Sequence, residues 1–295
     1  MFRLVAKRQY GVSTHLYHHQ RLCCDHLLEI AAHGFEVVEI FATRTHFDYH
    51  NPASVADLQQ WLAEAGLDLR SIHAPIAESY ARGRWSGTLS IASADPDERA
   101  HAVGEAERAL HIARRIPVPV LVAHLGLPRS QRGETQAGGD TRAAARRSIE
   151  ELQRIAGPLG VRIAVEVIPN ELSRAGSLVH FVEEDLALAE DMDGAGVGIC
   201  LDFGHAHLDG DVVDAIETVS EHLIATDVHD NRGRTDDHLM PFDGTIDWAA
   251  ALTAVQKVGF EGPLVLEIVG QGSAKETLAR AKQTRQRMER LMADG

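Results

Sequence analysis

Three cysteines in 295 residues are too few and too badly placed for a disulfide framework: Cys23 and Cys24 are adjacent, and Cys200 sits in an apolar run. They read as reduced thiols in or near a core, in a cytoplasmic protein. No uncharged apolar run approaches the length that crosses a bilayer. The opening residues, "MFRLVAKRQYGVSTH", lack the apolar stretch and small-residue cleavage site of a secretory signal. Positive charge is scarce too, with 29 Lys and Arg against 43 Asp and Glu and a formal net charge of −14. That balance disfavours a nonspecific grip on nucleic acid, which needs a phosphate-neutralising field. Acids that bind cations would weaken this argument by cancelling local negative charge. No linker or low-complexity block splits the chain, so a single domain over 1–295 is expected. Histidine is abundant, at 17 residues, and the 44% apolar content suffices for a full core.

Short apolar runs recur down the chain, each followed by a stretch of helical periodicity. The runs are "YGVSTH" (10–15), "FEVVEIF" (35–41), "LDLRSIHA" (67–74), "VPVLVAHLG" (118–126), "VRIAVEVI" (161–168), "VGICLDFG" (197–204), "LIATDVHD" (223–230) and "PLVLEIVG" (263–270). Valine and isoleucine dominate most of them, as in strands covered on both faces. Between them, "RLCCDHLLEIAAHG" spaces Cys24, Leu28 and Ala31 at helical intervals and stops at Gly34. "SVADLQQWLAEAG" runs from Ser54 as N-cap to Gly66 as terminator. Six further stretches bring the helices to eight, the fifth being "SLVHFVEEDLALAED" (177–191). Eight strands alternating with eight helices predict an α/β fold, a closed (β/α)8 TIM barrel. The competing open doubly wound sheet usually has a glycine-rich turn after its first strand, and "YGVSTHLYHHQRL" has none. The longest irregular segment, "LGLPRSQRGETQAGGDTR" (125–142), is of a length that is functional or disordered; both readings stand, with a mobile rim over the barrel mouth favoured.

In such a barrel, chemistry sits at the C-terminal ends of the strands. Read to its end, each run from the third to the eighth delivers a metal-competent side chain. These are His73, His124, Glu166, Asp202 with His205, His229 with Asp236 and His238 in the loop beyond, and Glu267. An acid inside an apolar strand is costly unless paired or bound to a cation. Any one of these residues alone reads better as a hydrogen-bonded core group or a salt bridge; the aligned set points to a common centre. Imidazole with carboxylate suits zinc, manganese or iron, whereas calcium prefers oxygen alone. Asp230 and Asp237 are expected to cap turns or orient ligands, and Asp243 and Asp247 to be structural, Asp247 as an N-cap. His15, His18, His19, His46 and His50 have no matching carboxylates and are left without a role.

"HAP", "EVIPN", "GICLDFGHA" and "HDNRGRTDDHLMPFDGTIDW" resemble the xylose isomerase-like barrel superfamily, from "GVSTH" to "VLEIVG". That superfamily joins sugar isomerases and epimerases to endonuclease IV-type abasic-site endonucleases. In its epimerase branch the resemblance implies a single-metal centre of Glu166, Asp202, His229 and Glu267, with the two glutamates exchanging a substrate proton. His205 then matches a substrate contact, and Arg232 and Arg234 stand near the position of a substrate-binding arginine, at a different spacing. In the endonuclease branch the resemblance implies three zinc ions. His73, His124 and Glu166 would hold one, Glu166, Asp202, His229 and Glu267 a second, and His205, Asp236 and His238 a third. Against nuclease activity, Ile76 follows "HAP" where that branch has an aromatic residue. Arg82, Arg84, Arg129, Arg132 and Arg142 could supply only a local phosphate-facing rim.

The expectation is therefore a metal-dependent isomerase or epimerase of a keto sugar or polyol, holding one to three Zn2+ or Mn2+ ions. Its partner would be a small carbohydrate-like substrate, with no membrane, nucleic acid disfavoured and a homo-oligomer compatible with the sequence. An abasic-site endonuclease and a non-enzymatic metal-holding barrel are the alternatives.

Overall fold

The computed structural model describes residues 8–128, 141–186, 196–270 and 272–294. Its barrel strands are β1 (Tyr10–Ser13), β2 (Val37–Phe41), β3 (Asp68–His73), β6 (Val120–His124), β7 (Arg162–Glu166), β8 (Val197–Asp202), β9 (Leu223–Val228) and β10 (Leu264–Leu266). All pair in parallel, and β1 pairs with both β2 and β10, which closes the ring. Each falls inside one of the eight apolar runs. The reason is burial on both faces: every residue of β2 and β8 is buried, and β7 exposes only its first.

The surrounding helices are α1 (Cys24–Ala32), α2 (Pro52–Ala65), α3 (Pro96–Leu110), α4 (Thr141–Ala156), α5 (Ala175–His180), α6 (Phe203–Asp209), α7 (Val212–Val219), α8 (Trp248–Lys257) and α9 (Ala274–Asp294). Local chemistry sets several of their ends. The Asp247 carboxylate accepts from the amides of Ala249 and Ala250 at the start of α8, as expected of an N-cap. Gly66 ends α2 in the left-handed conformation, φ 66°.

One local expectation is corrected. The N-cap of α2 is Asn51 rather than Ser54, because Pro52 fits the first helical turn, where no amide donor is needed. The fully buried positions of α1 are Leu27 and Ile30, while Cys24, Leu28 and Ala31 are half-buried on its flank. Cys23 is likewise half-buried, and Cys200 is buried. The fifth helix starts earlier than expected, at Ala175, and passes into one wide turn at Phe181–Asp185; the rest of that segment lies outside the described residues.

Two elements had no counterpart in the sequence reading. One is an antiparallel hairpin, β4 (Ala77–Ala81) and β5 (Arg84–Thr88), inserted after β3. Its two-residue turn places Arg82 and Gly83 at φ 52° and 76°, the positive pair that matches strand twist in a tight hairpin. The other is α6, which starts directly at the end of β8. Among the described residues, no helix is long and apolar enough to cross a membrane.

Candidate metal centre

The polar strand ends converge. His73, His124, Glu166 and Asp202 are the last residues of β3, β6, β7 and β8; His229 and Glu267 lie one residue beyond β9 and β10. Register puts neighbours side by side, with His124 opposite Glu166 across the β6–β7 pair. Ligand-capable atoms lie within 4.8 Å of one another in four overlapping groups. These are His73–His124–Glu166, Glu166–Asp202–His205, Asp202–His229–Glu267, and His205–His229–Asp236–His238. Among the described residues, all nine candidate ligands therefore join the cluster. The tetrad Glu166–Asp202–His229–Glu267 does not close as one group. The Glu166 carboxylate turns instead to imidazoles, with His73 Nε2 and His205 Nδ1 each 3.1 Å away.

Donor chemistry fits a divalent metal. The Nδ1 of His73 lies 2.9 Å from the Ala74 carbonyl oxygen and that of His238 2.9 Å from the Glu267 carbonyl oxygen. Such bonds fix each ring with Nε2 turned to the centre, the arrangement that orients metal-binding imidazoles. His124 Nε2 stands 2.9 Å from Glu166 Oε2, and His229 Nε2 3.0 Å from Asp202 Oδ1. Yet neither imidazole nitrogen makes an aligned hydrogen bond, and buried Asp202 Oδ2 also has no hydrogen-bond partner. Unpaired buried polar atoms are expensive. Close but misaligned pairs are what ligands look like when they share a cation at about 2.0–2.2 Å each.

Protons balance part of the charge. Burial alone would raise the Glu166 carboxyl, but the facing His124, His205 and His73 rings hold it well below the usual range. Burial opposes charge on His73 too, yet Glu166 pushes that ring up to about 10. Asp236 does the same for His238, also to about 10 against burial. Against the same desolvation, Asp202 and Asp236 push His205 well up. Burial drives Glu267 up to about 8, with the neighbouring Glu166 and Glu39 adding to the rise and His238 and His73 opposing it.

Metal ligands must be deprotonated, so loading at pH 7 is expected to release protons, about two or more per chain at saturation. Calorimetric titration in buffers of different ionisation enthalpy reads the number; an enthalpy independent of buffer would contradict it. The sign for the metal-free protein is the reverse of that for affinity. Stabilisation from His73 and His238 is fully present below the unfolded imidazole value of about 6.5. It is lost as pH rises through about 10, whereas affinity for a metal ion held by these rings would climb over the same interval.

The loop after β9 is held by Asp230. Its carboxylate accepts from the amides of Asn231, Phe242, Gly244 and Ile246 and from the Trp248 indole, at 2.8–3.3 Å. Its backbone pairs with Leu239, which fixes the segment carrying Asp236 and His238. His238 sits at φ 44°, a left-handed conformation that this framework imposes on a non-glycine residue. Gly204 is needed beneath, because a β-carbon there would overlap the His229 ring.

The other named residues divide. Arg234 lines the cavity above the centre, whereas Arg232 reaches the Asp243 carbonyl at 3.5 Å. Asp243 also pairs with Arg280, and Asp237 accepts from the Thr235 hydroxyl. Arg82, Arg84 and Arg142 are not among the residues lining that cavity, and Arg142 packs over the Phe181 ring. Arg129 and Arg132, and residues 129–140 of the expected rim, lie outside the described residues.

The cavity measures about 720 Å³. Its lining includes His15, His18, Phe41, Tyr80 and Trp85, for which the sequence reading gave no role. Tyr80 and Trp85 carry only a weak signal in the sequence, since Gly83 suits a tight turn but Arg82 is not among the residues that favour its first position.

The fold and site define a closed (β/α)8 barrel with imidazoles and carboxylates gathered at its C-terminal mouth, where they could hold a divalent cation. Residues 27–293 match the sequence profile of the xylose isomerase-like TIM barrel, and the chain belongs to that family. An uncharacterised protein of Methanocaldococcus jannaschii is 26% identical over 267 residues, 89% of this chain and 84% of its own. D-psicose 3-epimerase of Enterocloster bolteae is 23% identical over 242 residues, 81% of this chain and 74% of its own. A crystal structure of the IOLI protein with a binding zinc atom superposes with a TM-score of 0.73 at 18% identity, covering 97% of this chain and 98% of that one.

Proposed function

We propose that the chain is a divalent-metal-dependent epimerase or isomerase of a keto sugar or related hydroxy-carbonyl compound. The observation that carries this reading is the placement of Glu166 and Glu267 on the wall of one cavity, within a shared cluster of metal-competent side chains. Asp202, His229 and Glu267 would hold the catalytic ion, with Glu166 joining them once its carboxylate turns from the imidazoles; the zinc in the IOLI protein and the name of the E. bolteae relative support a metal and an epimerase reaction. When bound, the ion supplies Lewis-acid stabilisation of the charge that develops on the substrate's carbonyl oxygen. Glu166 and Glu267 remove and return the proton on the adjacent carbon, one from each face. His205 lines the same cavity with Nδ1 on Glu166 and Nε2 on Asp236, so it would meet a substrate oxygen only by giving up one of those contacts. Arg234 reaches the same space from the rim.

The test is solvent-deuterium incorporation into a panel of ketoses and inososes by protein loaded with zinc or manganese. Exchange at the carbon next to the carbonyl supports the reading; no exchange across the panel under either metal sinks it.

A second reading, chelator-sensitive cleavage at abasic sites, is favoured by the groups His73–His124–Glu166 and His205–His229–Asp236–His238, which go beyond the needs of one ion. The cavity lining counts against it, with Arg234 the one cationic arginine or lysine there among the described residues. Incubation with an abasic duplex, with and without chelator, separates the two.

A further inference from the structure

The β4–β5 hairpin gives the cavity a second end, chemically unlike the first. Tyr80 and Trp85 face one another across the hairpin, with ring centroids 4.6 Å apart. Trp85 stacks on His18 at 5.5 Å and 26°, and Tyr80 meets the edge of the same imidazole at 4.5 Å. Phe41 links this cluster to the metal centre, lying 5.8 Å from Trp85 and 5.1 Å from candidate ligand His73. The indole is thus one intervening ring away from the ligands. The hairpin is also pinned: the Tyr80 amide donates to Thr45 Oγ1 at 2.9 Å, and Glu78 pairs with His101 at 2.7 Å. Ile76, Tyr80, Gly83 and Trp85 are its contributions to the lining, and none is charged.

Size leads to the same conclusion. At about 30 Å³ per water-sized group, the 720 Å³ cavity has room for roughly twice the heavy atoms of a ketohexose. Aromatic faces take up the apolar C–H faces of sugar rings and exclude water from them. A phosphate in this end would need cations, and the hairpin offers none to the cavity.

The geometry points to a second, neutral-ring subsite formed by Trp85, Tyr80 and His18. The substrate is then a ketose or keto-sugar unit joined to a further uncharged ring, a glycoside or disaccharide, with the reacting unit at the metal centre. This assignment rests on the epimerase reading for the reacting unit alone. Binding of the outer ring is a property of the hairpin.

Calorimetric binding of D-fructose and of glucosyl-fructose disaccharides differing in linkage, to the zinc-loaded full chain, tests it. At least one disaccharide is expected to bind about tenfold tighter than fructose, the order of advantage an aromatic stacking contact confers. Trp85→Ala is expected to remove that preference, Trp85→Phe to retain most of it, and the wild-type complex to quench indole fluorescence. Fructose binding as tight as every disaccharide, a preference that survives Trp85→Ala, or an abasic duplex outcompeting the disaccharides for Trp85 would each overturn the subsite. Deuterium exchange on the same samples keeps the two ideas apart. Disaccharide binding through Trp85 without exchange into these sugars or any member of the ketose and inosose panel leaves the subsite and removes the epimerase. Exchange into fructose without disaccharide preference does the reverse.

Discussion

Glu166→Gln is expected to lower turnover by about 10³-fold or more, the middle to upper part of what a positioned acid–base group contributes, and to lower metal content in the same preparation. The double effect follows from geometry. One Glu166 oxygen faces His73 and His124, and the other faces His205. The carboxylate therefore bridges two of the ligand groups while also lining the cavity. An amide keeps the shape but removes the negative charge, and its NH2 would turn a donor toward imidazoles that already need acceptors. Glu267→Gln makes the useful comparison. Glu267 joins only the Asp202–His229 group, so its loss should stop proton transfer while leaving the His73–His124 end able to bind an ion. Metal analysis beside deuterium-exchange rates separates the variants. Turnover of Glu166→Gln within about threefold of the parent would remove Glu166 from the chemistry.

The barrel was legible because strands buried on both faces must be apolar, and an acid in such a strand stands out. Glu166, Glu267 and Asp202 each break a Val- or Ile-rich run at its end, and those positions are where the closed sheet gathers them. Legibility stopped where geometry depends on side-chain direction. Strand ends do not reveal that Glu166 turns toward three imidazoles, which divides the expected four-residue centre between neighbouring groups. It also stopped at short elements. The seven residues of α6 are too few for a periodic signal, although Asp202 caps the helix by accepting from the His205 amide at 2.6 Å. The hairpin escaped because its strands rest on histidine and phenylalanine rings at the mouth, so "ESYARGRWSGT" has no apolar face of the usual kind.

Asp230→Ala is expected to cost about 3–5 kcal/mol, since several buried donors lose their acceptor at about 1–3 kcal/mol each with partial relaxation, and to lower the melting temperature by roughly 10 °C. Asp230 is fully buried, and its carboxylate is the side-chain acceptor of all five donors. Phe242, one of those donors, sits at φ 79° with Arg287 over its ring at 3.8 Å, while Arg280 of the same helix holds Asp243. These α9 contacts fasten the outside of the loop, but they sit partly in water and contribute little alone. Asp230 supplies its interior framework. Without that carboxylate the loop should lose the conformation that keeps His238 at positive φ and Asp236 beside His205. The barrel strands, paired independently of the loop, should persist. Far-UV circular dichroism near that of the parent, together with a lower melting temperature and fewer bound ions, is therefore the expected combination. A melting temperature within about 2 °C of the parent would show that the loop is held by its other contacts and that Asp230 is one contributor among many.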